Sequence, residues 1–167
     1  MSEDTHTLLV VGDAAVAEVA AALEAVAGTL GWSTTVADDM DAVRAALPAA
    51  DSVVVLSHDH GVDGPALGAA LDANVGYIGA MGSRRTQARR REWLTEHGVP
   101  DSAQERIHGP AGLDIRADTP AEIAVSILAE VIGVRHGASG GALRDRPGPI
   151  HPELAPGESF CPGEPAR

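Results

Sequence analysis

Four consecutive apolar residues, Val53-Val54-Val55-Leu56, lie inside the short segment Asp51 to Ser57. A strand with no polar alternation has to be covered on both faces, and that is the situation of a parallel sheet clad by helices. Thr7 to Gly12 repeats the signal, a short apolar run that ends in glycine, and Ser33 to Ala37 and Val75 to Ala80 read as further strands. Helical stretches fall between them: an alanine-rich one from about Asp13 to Leu30, a short one from Met40 to Leu47 stopped by Pro48, and a third from Gly64 to Ala73. A long polar helix from Ser83 to His97, closed by Gly98, follows the last strand. Strict alternation of this kind predicts an α/β fold of three layers around a mostly parallel sheet.

The pattern changes after Gly98. Asp101 to Ile107 predicts a helical turn or two, and His108 to Asp118 reads as an aperiodic loop ordered by packing alone. Thr119, Pro120 and Glu122 then form a strong helix start, with Thr119 as N-cap, proline in the first turn and Glu122 completing a capping box. Ile123, Ile127, Val131 and Val134 recur on one stripe, which directs this helix onto the sheet. From Gly137 onward, six of the eleven prolines and six glycines fall within 31 residues, too little apolar surface to offset the entropy of ordering. The expected organisation is a domain over residues 1–136 and a flexible tail over 137–167.

Charge and composition remove several function classes. A formal net charge of -12 disfavours general attraction to nucleic acid or anionic lipid. All twelve basic residues are arginine, so a phosphate-binding Walker lysine, a kinase lysine and a Schiff-base lysine are excluded. Cys161 is the single cysteine, which rules out an intramolecular disulfide or a multi-cysteine zinc site and suits a cytoplasmic protein. The start, Met1 to His6, is polar and acidic rather than a secretory leader, and no run reaches membrane-spanning length.

In an open parallel sheet, ligands sit outside the carboxyl ends of the strands. The first such end holds Gly12, but a dinucleotide glycine fingerprint fails at Ala14 and Ala17, and Asp13 reads as a helix cap that would use the donors a pyrophosphate needs. At the second, Asp38 or Asp39 could accept from ribose hydroxyls or cap the next helix. The third carries His58-Asp59-His60, whose alternate imidazoles could face one way toward a metal or a proton, with His108 or Asp114 as conceivable third ligands. Two imidazoles do not make a metal site, and ordering of a turn is the preferred role. The fourth, Gly79 to Gly82 followed by Ser83, Arg84 and Arg85, is the best anion site, because glycines admit backbone amides, the helix start favours negative charge and two guanidinium forks stand beside it. Five of the twelve arginines lie between residues 84 and 91, and Arg89, Arg90 and Arg91 read as a solvated face paired with Glu92 and Glu96. No nucleophile, base and orienter set emerges from spacing, so no residue is assigned a catalytic role and none a metal.

Three blocks carry a resemblance: Ser57-His58-Asp59-His60; Tyr77-Ile78-Gly79 through Gly82-Ser83-Arg84-Arg85; and His108-Gly109-Pro110-Ala111-Gly112-Leu113-Asp114-Ile115 through Thr119-Pro120-Ala121-Glu122-Ile123-Ala124. In order, over about Thr7 to His136, they resemble the C-terminal Rossmann-like domain of the XdhC/CoxI family of xanthine dehydrogenase accessory proteins, here as a stand-alone unit. The resemblance implies an accessory protein rather than an enzyme, one that binds molybdopterin-type cofactor, including its cytidine dinucleotide form, and assists its maturation or insertion into a molybdenum hydroxylase apo-enzyme. It also implies a homodimer. Ser83, Arg84 and Arg85 would hold phosphate, while His58, Asp59, His60 and Asp114 would line the rest of the pocket, beside Gly12, Asp38, Gly79 and Gly82. The family's separate N-terminal domain, with its cofactor-associated cysteine, has no counterpart before Thr7, and Cys161 lacks a neighbour that would activate it. An NAD(P)-binding oxidoreductase and a ligand-free interaction module are the competing readings.

Overall fold

The computed structural model describes residues 5–150, so Cys161 lies outside the described residues. Five parallel strands, β1 (Thr7–Val11), β2 (Ser33–Ala37), β3 (Ser52–Val55), β4 (Tyr77–Ala80) and β5 (Ile107–His108), form one sheet in the order β2-β1-β3-β4-β5. Between and after them run α1 (Ala17–Thr29), α2 (Met40–Ala46), α3 (Asp63–Ala73), α4 (Arg84–Glu96), the one-turn α5 (Asp101–Gln104) and α6 (Pro120–Arg135). The α/β architecture read from the alternating pattern is the one observed, with a Rossmann-like parallel sheet and helices on both faces.

The side-chain period of two along each strand divides the core. Leu9, Val11, Val53, Val55 and Ile78 face Val43 of α2, Leu67 and Leu71 of α3 and Leu94 of α4. Leu8, Val10, Val54, Leu56 and Tyr77 face Leu23 and Ala27 of α1 and Ile127, Leu128 and Val131 of α6. Residues 53–56 are therefore fully buried from both sides, as their unbroken apolar run requires. The alanine-rich α1 packs on the sheet and against α6.

Local chemistry sets the element starts. Asp13 Oδ1 accepts from the Ala15 N–H at 2.9 Å and Asp39 Oδ1 from the Ala42 N–H at 2.8 Å. Thr119 and Glu122 form the expected capping box at α6. The segment after α5 departs from expectation. Ile107 and His108 pair with Ile78 and Gly79 as a fifth strand, where the sequence suggested the end of a helical turn and the start of an aperiodic loop. Two residues carry no periodicity, so this strand exists only through its ladder to β4.

Because β1 sits between β2 and β3, the strand order reverses there, and that is the position outside which open parallel sheets receive their ligands. No helix among the described residues is long and apolar enough to cross a membrane.

Candidate functional site

The carboxyl ends of β1 to β4 bring most of the expected residues to one edge of the sheet. The Gly12 N–H donates to the Ala37 carbonyl at 2.9 Å, tying the first two strand ends together. Of the two adjacent aspartates, Asp39 is the helix cap. Asp38 is left exposed, in a groove of about 420 Å³ shared with Gly12, Asp13, Ala17 and Val36.

The β4–α4 turn passes through Gly82 at φ +127, a backbone conformation that side chains other than glycine's rarely tolerate. Ser83 then caps α4, its Oγ accepting from the Thr86 N–H at 3.2 Å. Arg84 and Arg85 are the first helical residues, both exposed, and among the described residues they enter no hydrogen bond or ion pair. Gly79 serves a different end. A Cβ there would lie 2.7 Å from the Tyr77 ring, so its missing side chain gives Tyr77 room rather than giving a ligand access.

Arg90 is a correction to the expected solvated face. It is only 4% exposed. Its Nε donates to Asp63 Oδ2 at 3.0 Å, its Nη1 to the Met81 carbonyl at 2.6 Å and its Nη2 to the Ser57 carbonyl at 2.9 Å. One guanidinium thus bolts the end of β3, the start of α3 and the end of β4 into a fixed spacing. Gln87, one turn earlier, donates to the Ala80 and Gly82 carbonyls. The buried row Gln87, Arg90, Leu94 has helical spacing, but with two polar members it reads as solvent-facing until the carbonyls it serves are located. The pairing of Arg89 and Arg91 with Glu92 and Glu96 is also absent among the described residues.

His58, Asp59 and His60 form an exposed turn. Asp59 Oδ1 accepts from the Gly61 N–H at 2.8 Å, and the Asp59 N–H donates to Ser57 Oγ at 3.0 Å. Arg89 Nη1 lies 3.4 Å from His60 Nε2. No group of three His, Cys, Asp or Glu among the described residues is placed to hold a metal ion. His108 turns elsewhere, with its Nδ1 3.3 Å from Glu130 Oε1, and Asp114 is exposed on the irregular loop.

Glu130, absent from the sequence-based candidates, organises that loop. Its Oε2 accepts from the Tyr77 hydroxyl at 2.6 Å and from the Gly112 N–H at 2.8 Å, while the His108 ring stacks on Tyr77 at 4.8 Å. Burial alone would raise the Glu130 carboxyl. Hydrogen bonds from His108, Tyr77 and Gly112 outweigh it and hold the carboxyl below its ordinary value. Burial, then the bond to Glu130, pushes the Tyr77 hydroxyl far up, so it remains a neutral donor. Nothing local distinguished Glu130 from an acid on an exposed helix face. The hint was a carboxylate one turn beyond Ile127, on a helix whose apolar stripe was already directed at the sheet.

The model of the XdhC Rossmann domain matches residues 8–131, from β1 into α6. The chain belongs to the XdhC Rossmann-domain family. It is 33% identical over 129 residues to the molybdenum cofactor insertion chaperone PaoD of Escherichia coli strain K12, covering 77% of this chain and 40% of PaoD. It is 34% identical over 122 residues to YqeB of the same strain, which covers 72% of this chain and 22% of YqeB. The chain therefore spans well under half the length of these curated relatives. The crystal structure of a xanthine dehydrogenase from Bacillus halodurans shares the fold, with a TM-score of 0.59 at 24% identity over 80% of this chain and 43% of that one. The matched XdhC segment contains the Arg84-Arg85 helix start, the Arg90 bolt and the Glu130 loop anchor, so all three lie within the family's domain.

Proposed function

We propose that this chain is a molybdenum hydroxylase accessory protein that binds molybdopterin-type cofactor at the carboxyl edge of its sheet and assists its maturation or insertion. The observation that carries this reading is the Arg84-Arg85 doublet at the amino end of α4, unpaired among the described residues. A helix start is already the positive end of a dipole, and cations there cost about 0.3–1 kcal/mol each at low ionic strength instead of stabilising. Two guanidinium groups held there without carboxylate partners are compensated by an anion brought from outside, and a phosphate monoester or diphosphate matches their forked donors. The donor set therefore fits the phosphate of molybdopterin. Asp38, free of the capping task that Asp39 performs, suits the ribose hydroxyls of the cytidine dinucleotide form.

Membership of the XdhC family and likeness to an insertion chaperone support the accessory role. On this reading the partner is a molybdenum hydroxylase apo-enzyme, and the protein carries cofactor instead of turning over a substrate. The competing nicotinamide reading is disfavoured by Asp13, whose carboxylate already takes the Ala15 N–H at the first helix start.

The test is to purify the protein from a cofactor-producing host, oxidise it and measure the fluorescent pterin released. We expect pterin with the wild-type chain and its loss in R84A/R85A. Absence of pterin from the wild type, or equal retention by the double variant, refutes cofactor carriage through these arginines. Stabilisation by NAD or NADP but by no pterin supports the oxidoreductase reading, and indifference to every ligand supports an interaction module.

A further inference from the structure

Between the β3–α3 turn and the outer side of α4 lies a cavity of about 360 Å³, and of its lining only His60 was among the residues expected at a ligand site. Its polar side chains are sorted along the helix. At one end are Thr86, Arg89 and His60, and at the other are Glu92 and Glu96. The buried Arg90–Asp63 pair lies beneath them as a neutral floor. Arg85, Arg89, Glu92 and Glu96 follow one row at helical spacing, so Arg85 continues the cationic end one turn further toward the sheet's carboxyl edge.

Glu92 and Glu96 are close enough in sequence to the arginines for intrahelical pairing, yet no such pair forms among the described residues. Their carboxylates are left as acceptors facing the cavity, about 9–15 Å along the helix from Thr86 at 1.5 Å rise per residue. Trp93 adds an apolar wall, but its faces are taken by Gly64 and by His97, whose ring stacks on it at 3.7 Å, so it offers an edge and not a stacking platform.

A ligand that satisfies this sorting has an anionic tail for Arg89 and an edge of adjacent N–H donors for a carboxylate. We propose that the cavity holds the ring of a phosphate-bearing aminopyrimidinone heterocycle, the chemistry shared by pterin phosphates and guanine nucleotides, with its donor edge on Glu92 and Glu96 and its phosphate toward Arg89. The volume is at the low end of the range for ligand pockets, about 300–1,000 Å³, and so suits one ring system with a short tail instead of a dinucleotide. This assignment rests on the cofactor reading above for its biological sense and supplies that reading with a place for the pterin ring.

The test uses guanosine monophosphate, inosine monophosphate and neopterin monophosphate as probes in calorimetric titrations of the full chain. Inosine monophosphate differs from the guanine compound only in lacking the exocyclic amino group. A charge-assisted hydrogen bond predicts at least about tenfold tighter binding of the guanine compound by the wild type. In E92Q/E96Q that preference disappears, and in R89A both nucleotides weaken together. Competition by neopterin monophosphate for the same site supports the shared ring chemistry and identifies the pterin source. Equal binding of the two nucleotides by the wild type, a preference that survives in E92Q/E96Q, or no binding of any probe at millimolar concentration overturns the proposal. Both glutamates are exposed, so circular dichroism of the double variant is expected to match the wild type. The two readings fail separately. Pterin lost in R84A/R85A with no amino-group preference sinks the ring site and spares cofactor carriage, whereas a Glu-dependent preference in a protein that purifies without pterin does the reverse.

Discussion

Replacing Arg90 by methionine removes the bolt between two strand ends while keeping an unbranched side chain of similar reach. The pair it breaks is buried on both sides, with the Arg90 and Asp63 side chains 4% and 5% exposed. Leaving a buried carboxylate without its partner costs about 3–5 kcal/mol, far above the 0–1 kcal/mol typical of an exposed pair. For a domain of this size that corresponds to a fall in Tm of roughly 6–20 °C. The double variant R90M/D63L removes both charges, and a buried ion pair replaced by apolar residues is often neutral. The Met81 and Ser57 carbonyls, which Arg90 also serves, would still lose their donors, and the Gly64 N–H would lose the Asp63 oxygen it donates to at 2.7 Å. R90M/D63L is therefore expected to regain only part of the loss, because three hydrogen bonds at roughly 1 kcal/mol each stay broken. Urea unfolding followed by circular dichroism, with the m-value compared across the three proteins, measures these quantities. A loss below about 1 kcal/mol in R90M would show that the guanidinium behaves as an exposed one. No recovery in the double variant would show that the charge is not the source of the cost.

Two predictions concern acid stability. The folded pKa of Glu130 is below its ordinary 4.5, so the unfolded chain takes up this proton first. The stabilisation is present above about that value and is lost as pH falls through the lower folded pKa, and E130Q should remove this part of the acid dependence of the urea midpoint; an unchanged acid limb would refute it. His6 is the opposite residue type with the same sign. Burial, then the charge of Arg135, lowers its pKa from 6.5 against the opposing pull of Asp51, so folding favours the neutral ring. Stability should fall as pH drops below about 6.5 and level off beneath the folded pKa, and H6N should flatten that step in midpoints measured from pH about 7.5 to about 5. A step that persists in H6N assigns it to another group.

Strands β1 and β3 were legible because burial from both faces writes itself into consecutive residues, Leu8 to Val11 and Val53 to Leu56. The start of α6 was legible for a related reason. Thr119, Pro120 and Glu122 act on donors within three residues of one another. Asp13 as a cap belongs with them, and so does the strand-end location of the Gly82–Arg85 turn, whereas the choice of Asp39 over Asp38 as the cap of α2 came only with the structure. These signals are local, and the chain states them wherever it is read.

Other assignments depended on neighbours far along the chain. Ile107 and His108 become a strand only beside Ile78 and Gly79. Arg90 is buried because Asp63, 27 positions away, and two strand-end carbonyls converge on it, while Arg89, its immediate neighbour on the same helix, stays exposed. Glu130 becomes an anchor because Tyr77, 53 positions away, and the Gly112 amide arrive at the same carboxylate. Sequence alone therefore determined the layers, the helix starts and the edge of the sheet where the candidate site residues gather. Tertiary structure decided which charges are spent on holding that edge together and which remain free for a ligand, because the desolvation that separates the two is a property of what packs around a side chain and not of its position in the chain.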